Sequence, residues 1–520
     1  MLLYVLVRLS NMEKIAMNKL PVEFVDFLLT TMEVLAALFI LALGLIILWI
    51  IVTYIVDVTQ TQQTIRRNYP VIGRFRYLFE HIGEFFRQYF FAMDREELPF
   101  NRAQRSWVYR AAKNVDSTVA FGSTDNINSA GRVLFVNCAF PTLGQDAVAP
   151  KPLIIGENCK YPYTTDSIIN ISGMSYGAIS KPAVLALSAG AKAAGCWMNT
   201  GEGGLSPYHL EGGADIVFQI GTAKNGVRDL EGNLDDIKLT EIAAHAQVKM
   251  FEIKMSQGVK PGKGGILPGE KVTEEIAKIR GIEIGKDALS PNRHVDISSF
   301  DDLLDMIKHI RDVTGKPTGF KMVVGAPNHL DPLFSLILQR GLDSAPDFIT
   351  LDGAEGGTGA APMALIDSVG MSIRESLPLV VDKLKEYGLR ERIKVISAGK
   401  LITPASVAWA LCIGSDFITS ARGFMFSLGC IQALQCNKNT CPTGITTHNP
   451  KFQRGLDPAI KAVRVASYVK NMVKEVGIIA HSCGVKNPRA LNRSHARIVM
   501  SNGNTVGMDE LHPEVERPRG

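Results

Sequence analysis

The amino-acid sequence predicts an α/β chain built as a (β/α)8 TIM barrel, preceded by an N-terminal transmembrane helix and a helical collar. Three observations lead there. From about Ser167, short β-rich runs alternate with helical stretches, the pattern of a parallel sheet covered on both faces. No Gly-x-Gly-x-x-Gly fingerprint opens the series, which disfavours an open dinucleotide-binding sheet. The polar, glycine-rich segments follow the strands, on the face where such barrels carry their chemistry.

The totals bound the function. With 520 residues, 46% hydrophobic and 21% charged, the chain can bury a large core and is too apolar for disorder. A formal net charge of +5 is too small over this length to imply a nucleic-acid partner. Eight cysteines make no disulfide scaffold, and three crowd between Cys430 and Cys441, which suits a reduced, metal-competent compartment.

Residues 1–60 carry the first element. Residues 34–56 run without a charge and as a helix would span about 35 Å, against a hydrocarbon core of about 30 Å, so a single membrane span is expected. Tyr54-Ile55-Val56-Asp57 is no signal-peptidase site. Arg66, Arg67, Arg74 and Arg76 follow the span, whereas Arg8, Lys14 and Lys19 precede it among four acids, a balance that puts the catalytic part in the cytoplasm. A start at Met12 or Met17 would strengthen that orientation. Residues 61–160 are rich in arginine and aromatics, as in Arg74-Phe75-Arg76-Tyr77. They read either as amphipathic helices on the membrane surface or as a collar packed on the catalytic body.

Residues 161–455 form the predicted barrel. Its countable strands are 168–171, 196–199, 250–253, 320–324, 348–351, 393–396 and 417–419, with helices such as 181–194, 300–314 and 403–413 between them, and weaker units completing the eight. Residues 456–520 are read as a helical extension and tail.

The last two strand ends read Ile396-Ser397-Ala398-Gly399-Lys400 and Thr419-Ser420-Ala421-Arg422-Gly423. Small residues let backbone N–H groups approach an anion, so a phosphorylated cofactor or substrate is implied. The loops Asn199-Thr200-Gly201-Glu202-Gly203-Gly204 and Asp352-Gly353-Ala354-Glu355-Gly356-Gly357-Thr358-Gly359-Ala360 set carboxylates among residues without bulk, where a flat ring could lie on main chain. Residues 254–265 offer Lys254, Gln257, Lys260 and Lys263. The ammonium groups suit a small carboxylate substrate, and the amide suits its second oxygen or a carbonyl. Cys430-x5-Cys436-x4-Cys441-Pro442 fits an iron–sulfur cluster wrapped by one loop, three ligands implying an empty corner. The alternative is zinc held by these thiolates and His448. Cys138, Cys159, Cys196, Cys412 and Cys483 read as core thiols.

Over residues 172–450 the sequence resembles the FMN-binding synthase domain of glutamate synthase large subunits. The match rests on Gly173-Met174-Ser175-Tyr176-Gly177-Ala178, the loops at 199–204, 254–265 and 356–360, and the cysteine loop ending Asn439-Thr440-Cys441-Pro442. The resemblance implies FMN in the barrel, contacted by Met174, Ser175, Gln219, Lys321, Gly356, Gly357, Thr358, Gly359, Gly399, Ala421 and Arg422. It implies a 3Fe-4S cluster on Cys430, Cys436 and Cys441, and 2-oxoglutarate held by Gln257 and Lys260, with Glu202 guiding or deprotonating the ammonium ion. The expected protein is a stand-alone, membrane-anchored member without the glutaminase and β-helix domains. It would aminate 2-oxoglutarate with ammonia and electrons from a ferredoxin or a reductase subunit. The chain departs from the family at Ala354, where a histidine is usual, and at Lys224-Asn225-Gly226, where Arg-Phe-Gly is usual. Two alternatives remain: the same cofactors acting on another oxo acid or amine, and a tethered electron-transfer module without an amino-acid substrate.

Overall fold

The computed structural model describes residues 21–515, in two compact units that divide between Asn101 and Arg102. The division falls within the stretch read from sequence as one collar. Arg8, Met12, Lys14, Met17 and Lys19, on which the orientation argument leans, lie outside the described residues.

In the first unit one helix, Val22–Thr59, extends beyond the charge-free segment at both ends. Its residues are exposed except buried Thr53 and Asp57 and half-buried Val25. It is long and apolar enough to cross a membrane, a test that a signal sequence near an N-terminus also passes.

The second unit is built on a closed barrel of eight parallel strands: β1 (Ile169–Ile171), β2 (Met198–Asn199), β3 (Ile216–Ile220), β4 (Val248–Lys254), β5 (Thr318–Met322), β6 (Phe348–Asp352), β7 (Lys394–Ala398) and β8 (Phe417–Ser420). Each pairs with its sequence neighbour, and β8 closes on β1. Every residue of β3, β5 and β6 is buried, as expected when helices cover a barrel whose interior is filled by side chains. Seven strands overlap the seven runs read from sequence. The eighth is β3, whose Ile-Val-Phe-Gln-Ile run has no period-two alternation to mark it.

A cluster of Tyr163, Trp197, Val217, Met250, Phe348 and Phe417 fills the barrel near the beginnings of its strands, with Trp197 edge-on to Phe417 at 5.1 Å. The antiparallel hairpin of Leu153–Ile155 and Tyr163–Thr165 contributes Ile155 and Tyr163 to this plug. The opposite end, where the strands finish, is left to the loops.

Helix Lys181–Ala194 follows β1, capped by Ser180 at its start and by left-handed Gly195 at its end. Helix Pro458–Ser482 packs on it and on the helices after β7 and β8, so the C-terminal extension belongs to the barrel's outer layer. The contact needs Gly190: a Cβ there would lie 2.5 Å from Val465 Cβ and 2.8 Å from Ala462 O. Gly190→Val is therefore expected to lower stability by roughly 1–3 kcal/mol, because overpacking forces one helix off the other. The midpoint of thermal unfolding checks it, and an unchanged midpoint would mean that the helices slide apart freely.

Candidate functional site

The ends of the strands converge on Glu252, near the end of β4 and only 3% exposed. Its carboxylate accepts hydrogen bonds from Asn199 Nδ2 of β2 (2.8 Å), Gln219 Nε2 of β3 (2.6 Å) and Thr350 Oγ1 of β6 (2.6 Å). One buried charge thus ties three strands together, and its acceptor capacity is nearly filled. Gln219, expected at the cofactor, donates one amide N–H to this hub. The adjacent cavity, lined by Asn199, Glu252, Lys321, Thr350 and Thr419, measures about 10 Å³. That is room for about one water, so any flavin has to sit above it, among the loops.

Lys321 at the end of β5 is paired with Asp352 at 3.1 Å. Burial pushes its ammonium towards deprotonation, but the Asp352 and Glu252 carboxylates outweigh that and hold its pKa above the ordinary value. Asp352 also accepts from Gly258 N at 3.0 Å, which joins the end of β6 to the loop after β4. Val259 N donates to Ala354 O at 2.9 Å, and Gln257 Nε2 to Gly357 O at 3.3 Å. The approach is close: a Cβ on Gly258 would lie 2.3 Å from Gly353 O. Val259 takes φ +61°, a strained conformation for a β-branched residue and one held here by the surrounding loop.

A second cluster centres on Glu202, in the loop after β2. Lys254 Nζ lies 3.1 Å from its carboxylate and also hydrogen-bonds Gln257 Oε1. Gly221 and Gly265 cradle it, since a Cβ at either would lie within 2.6 Å of a Glu202 atom. Burial would protonate Glu202, but Lys254 and Lys260 outweigh it, so its pKa is lowered and it stays ionised. Burial brings Lys260 down to about 8, with Lys254 adding to the shift and Glu202 opposing it. Arg280, brought by burial to about 10 against the pull of Glu202, donates to Ser175 Oγ (3.2 Å) and Tyr176 O (3.0 Å). Three buried cations therefore surround one carboxylate and leave an excess of positive charge.

At the ends of β7 and β8, Gly399 takes φ +140° and Lys400 φ +50°. Arg422 follows Ala421, hydrogen-bonds Glu355 O and lies against Gly357, where a Cβ would meet Arg422 Nε at 2.9 Å. Burial lowers Lys400, and Arg422 beside it lowers it further. Burial also brings Arg422 to about 10, with Asp352 and Glu355 opposing. Two desolvated cations beside glycine main chain form an environment that fits a phosphate, as bound FMN would present. Met174 and Ser175 are buried in the loop after β1, where the Cβ of any larger residue at Gly201 would strike Ser175 N at 2.6 Å. Gly356 is buried beneath Gly258, whereas Thr358 and Gly359 lie towards the open tip of their loop.

The cysteine loop is anchored from outside. Tyr109 Oη donates to Cys430 O at 2.6 Å, and Lys271 Nζ to Cys436 O at 2.8 Å and Ala178 O at 3.2 Å. Burial raises the Cys430 thiol to about 12, with Cys436 and Cys441 adding to the shift. Burial likewise raises Cys436, whereas hydrogen bonds from Thr443 and Thr446 outweigh burial and lower Cys441. The thiols are thus near enough to influence one another. Even so, no group of three or more His, Cys, Asp or Glu side chains is gathered as metal ligands among the described residues. The donor chemistry nevertheless suits an iron–sulfur cluster: three sulfurs on one loop, Gln432 N directed at Cys430 Sγ (3.4 Å) and the Thr443 hydroxyl beside Cys441 Sγ (3.3 Å). His448 is not gathered with the three cysteines as a fourth ligand among the described residues, and its Nε2 is hydrogen-bonded to Gly177 O at 2.8 Å.

Sequence reasoning missed Glu252, Arg280 and the bridging role of Lys254. An acidic residue inside an otherwise apolar strand was the available signal for Glu252. Arg280 ends a short helix, Glu274–Arg280, which carries no motif that would single it out.

Residues 138–486 match the conserved region in glutamate synthase. The chain is 40% identical over 497 residues to the glutamate synthase large subunit-like protein YerD of Bacillus subtilis, covering 88% of this chain and 94% of that protein. It is 36% identical over 319 residues to the archaeal-type glutamate synthase (NADPH) of Thermotoga maritima, covering 61% of this chain and 59% of that one. With the archaeal glutamate synthase (NADPH) of Methanocaldococcus jannaschii it shares 35% identity over 356 residues, 67% of this chain and 64% of that one. It thus spans less than two thirds of the length of these two enzymes. Among solved structures, a mutant flavocytochrome b2 with pyruvate bound aligns with 78% of this chain and 85% of its own, at 14% identity and a TM-score of 0.44, too slight a likeness to argue from. On the extent of the conserved region and the close relative matched over nearly its whole length, the chain belongs to the glutamate synthase family.

Proposed function

We propose that the protein is an FMN- and iron–sulfur-dependent oxidoreductase that converts 2-oxoglutarate and ammonium into L-glutamate with electrons from an external donor. The observation that carries this reading is the gathering of Lys254, Lys260 and Arg280 around the single carboxylate of Glu202. A surplus of buried positive charge suits a dicarboxylate substrate, which would complete the charge balance of the site.

FMN, when bound, supplies hydride chemistry. Met174, Ser175 and Lys321 would hold its ring end, the 356–359 loop would lie beside it, and Gly399, Ala421 and Arg422 would hold its phosphate. Cys430, Cys436 and Cys441 would hold the cluster. Lys260, Lys254 and Gln257 orient the oxo acid, and ionised Glu202 attracts ammonium towards its carbonyl carbon. The loops after β4 and β6, stitched together at Gly258, exclude water from the reacting carbon. Each 2-oxoglutarate takes up one ammonium, two electrons and two protons and releases one water. A ferredoxin or a reductase subunit would be the donor, and the apolar helix would anchor the catalytic body on the cytoplasmic side.

The test is direct. Purified full-length protein should contain flavin, iron and acid-labile sulfide, and should form glutamate from 2-oxoglutarate and ammonium with a reduced viologen dye as donor. Turnover confined to a different oxo acid or amine would reassign the substrate. Flavin reoxidised by a protein acceptor but by no oxo acid with ammonium would favour the electron-transfer module.

A further inference from the structure

The first unit contains an arrangement that catalysis does not use. Asp57, two residues before the end of helix Val22–Thr59, has no exposed surface. Its carboxylate accepts from Arg66 Nη2 (2.7 Å), Arg74 Nη2 (2.9 Å) and Val71 N (3.0 Å). Arg66 lies on the short helix Thr64–Asn68, and Arg74 in the first turn of helix Gly73–Phe86. Val71, between them, takes φ +68°, a conformation a β-branched residue holds only when its surroundings fix it. Gly73 is pressed against the same turn, where a Cβ would lie 2.8 Å from Ile65 O. These contacts make a fixed elbow between the apolar helix and the helix that follows.

Helix Gly73–Phe86 is amphipathic. Phe75, Leu78, Phe79 and Phe86 recur at helical spacing and are 47–66% exposed, and Phe75 stacks on Phe79 with ring centroids 6.3 Å apart. Ile72, Phe90 and Phe91 prolong the apolar surface and are 71–74% exposed. By sequence, Arg67, Arg76 and Arg87 outnumber the two acidic residues of segment 64–91, so the segment keeps a cationic surplus beyond the two arginines used in the elbow.

We infer that helix Gly73–Phe86 lies in the headgroup layer of an anionic phospholipid bilayer, with its phenylalanine face towards the acyl chains, held there by the Asp57 elbow as helix Val22–Thr59 leaves the hydrocarbon. Continuity selects lipid over protein as the occupant. The phenylalanine face begins one fixed turn beyond a 38-residue helix whose most apolar stretch contains no buried residue. A carboxylate at that border fits a low dielectric because two guanidinium groups and an amide satisfy it. The cations match anionic headgroups, and an aromatic face with a basic rim is the composition of an interfacial helix.

Full-length protein reconstituted in phosphatidylcholine vesicles, with and without phosphatidylglycerol, would be photolysed with two diazirine lipids, one labelled near the carbonyl and one near the chain terminus. The shallow probe should label peptides covering Gly73–Phe86, several-fold more with phosphatidylglycerol present, and the deep probe should label only Val22–Thr59. Phe75→Ser/Phe79→Ser should lose the shallow adducts while keeping the deep ones, and Asp57→Asn should weaken the shallow adducts. Absence of shallow adducts from Gly73–Phe86, crosslinks from that helix to a second copy or another protein instead, or absence of deep adducts from Val22–Thr59 would each overturn the inference.

Discussion

Replacing Lys260 by alanine is expected to raise KM for 2-oxoglutarate about 10- to 100-fold while leaving flavin content unchanged. A charge-assisted hydrogen bond to a carboxylate is worth about 1.5–3 kcal/mol, and each 1.4 kcal/mol is about tenfold in binding. Lys254 and Arg280 remain in the variant, which sets the upper end. The pH dependence separates this role from a structural one. Because burial and Lys254 hold the Lys260 ammonium at about 8, wild-type KM should be flat below that pH and climb above it as the cation is lost. The variant should lack this rise. Stability should move the other way. The folded value lies below the unfolded one, so the penalty for burying the charge is full below pH 8 and fades as pH approaches 10.5. Lys260→Met, without substrate, should therefore be more stable than wild type at pH 7, by at most about 3 kcal/mol, with the difference vanishing near pH 10.5. Loss of flavin from either variant would move Lys260 from the substrate to the cofactor.

The barrel was legible because most of its strands are short apolar runs bounded by glycine loops, and such runs have few folds open to them. β3 escaped because burial on both faces removes the alternation that marks a strand, and Gln219 interrupts the apolar run. The chemistry was legible where residues cluster along the chain, as at 254–265 and 430–441. It was not legible where the partners are far apart in sequence: Glu252 meets Asn199 and Thr350 only because the barrel closes, 53 and 98 positions away. Arg280 is the same case. Nothing in a helix ending Lys-Ile-Arg signals that its last side chain turns inward onto Ser175. The Asp57 elbow shows a shorter-range version, since an isolated acid after an apolar run reads as the border of a span and not as the anchor of the next two helices.

Cys436→Ala is expected to empty the cysteine loop of iron and acid-labile sulfide while flavin stays bound and the fold survives. The proposed cluster has three protein ligands, and two thiolates leave an iron without a protein donor, so the loss should be complete and not graded. The loop itself should hold, because its main-chain anchors do not use the Cys436 side chain. Lys271 holds the Cys436 carbonyl, Tyr109 holds that of Cys430, and Thr447 Oγ1 bonds Asn439 O at 2.6 Å. Cys412→Ala supplies the contrast. Its thiol is 2% exposed in helix Pro404–Ile413, so truncation should cost about 1 kcal/mol of packing and leave the iron content untouched. Measured together, the iron-to-flavin ratio and the thermal midpoint should move in opposite proportions in the two variants. If Cys436→Ala kept its iron, or if both variants lost it equally, the three-cysteine loop would be a structural turn, and electrons would have to reach the barrel mouth by another route.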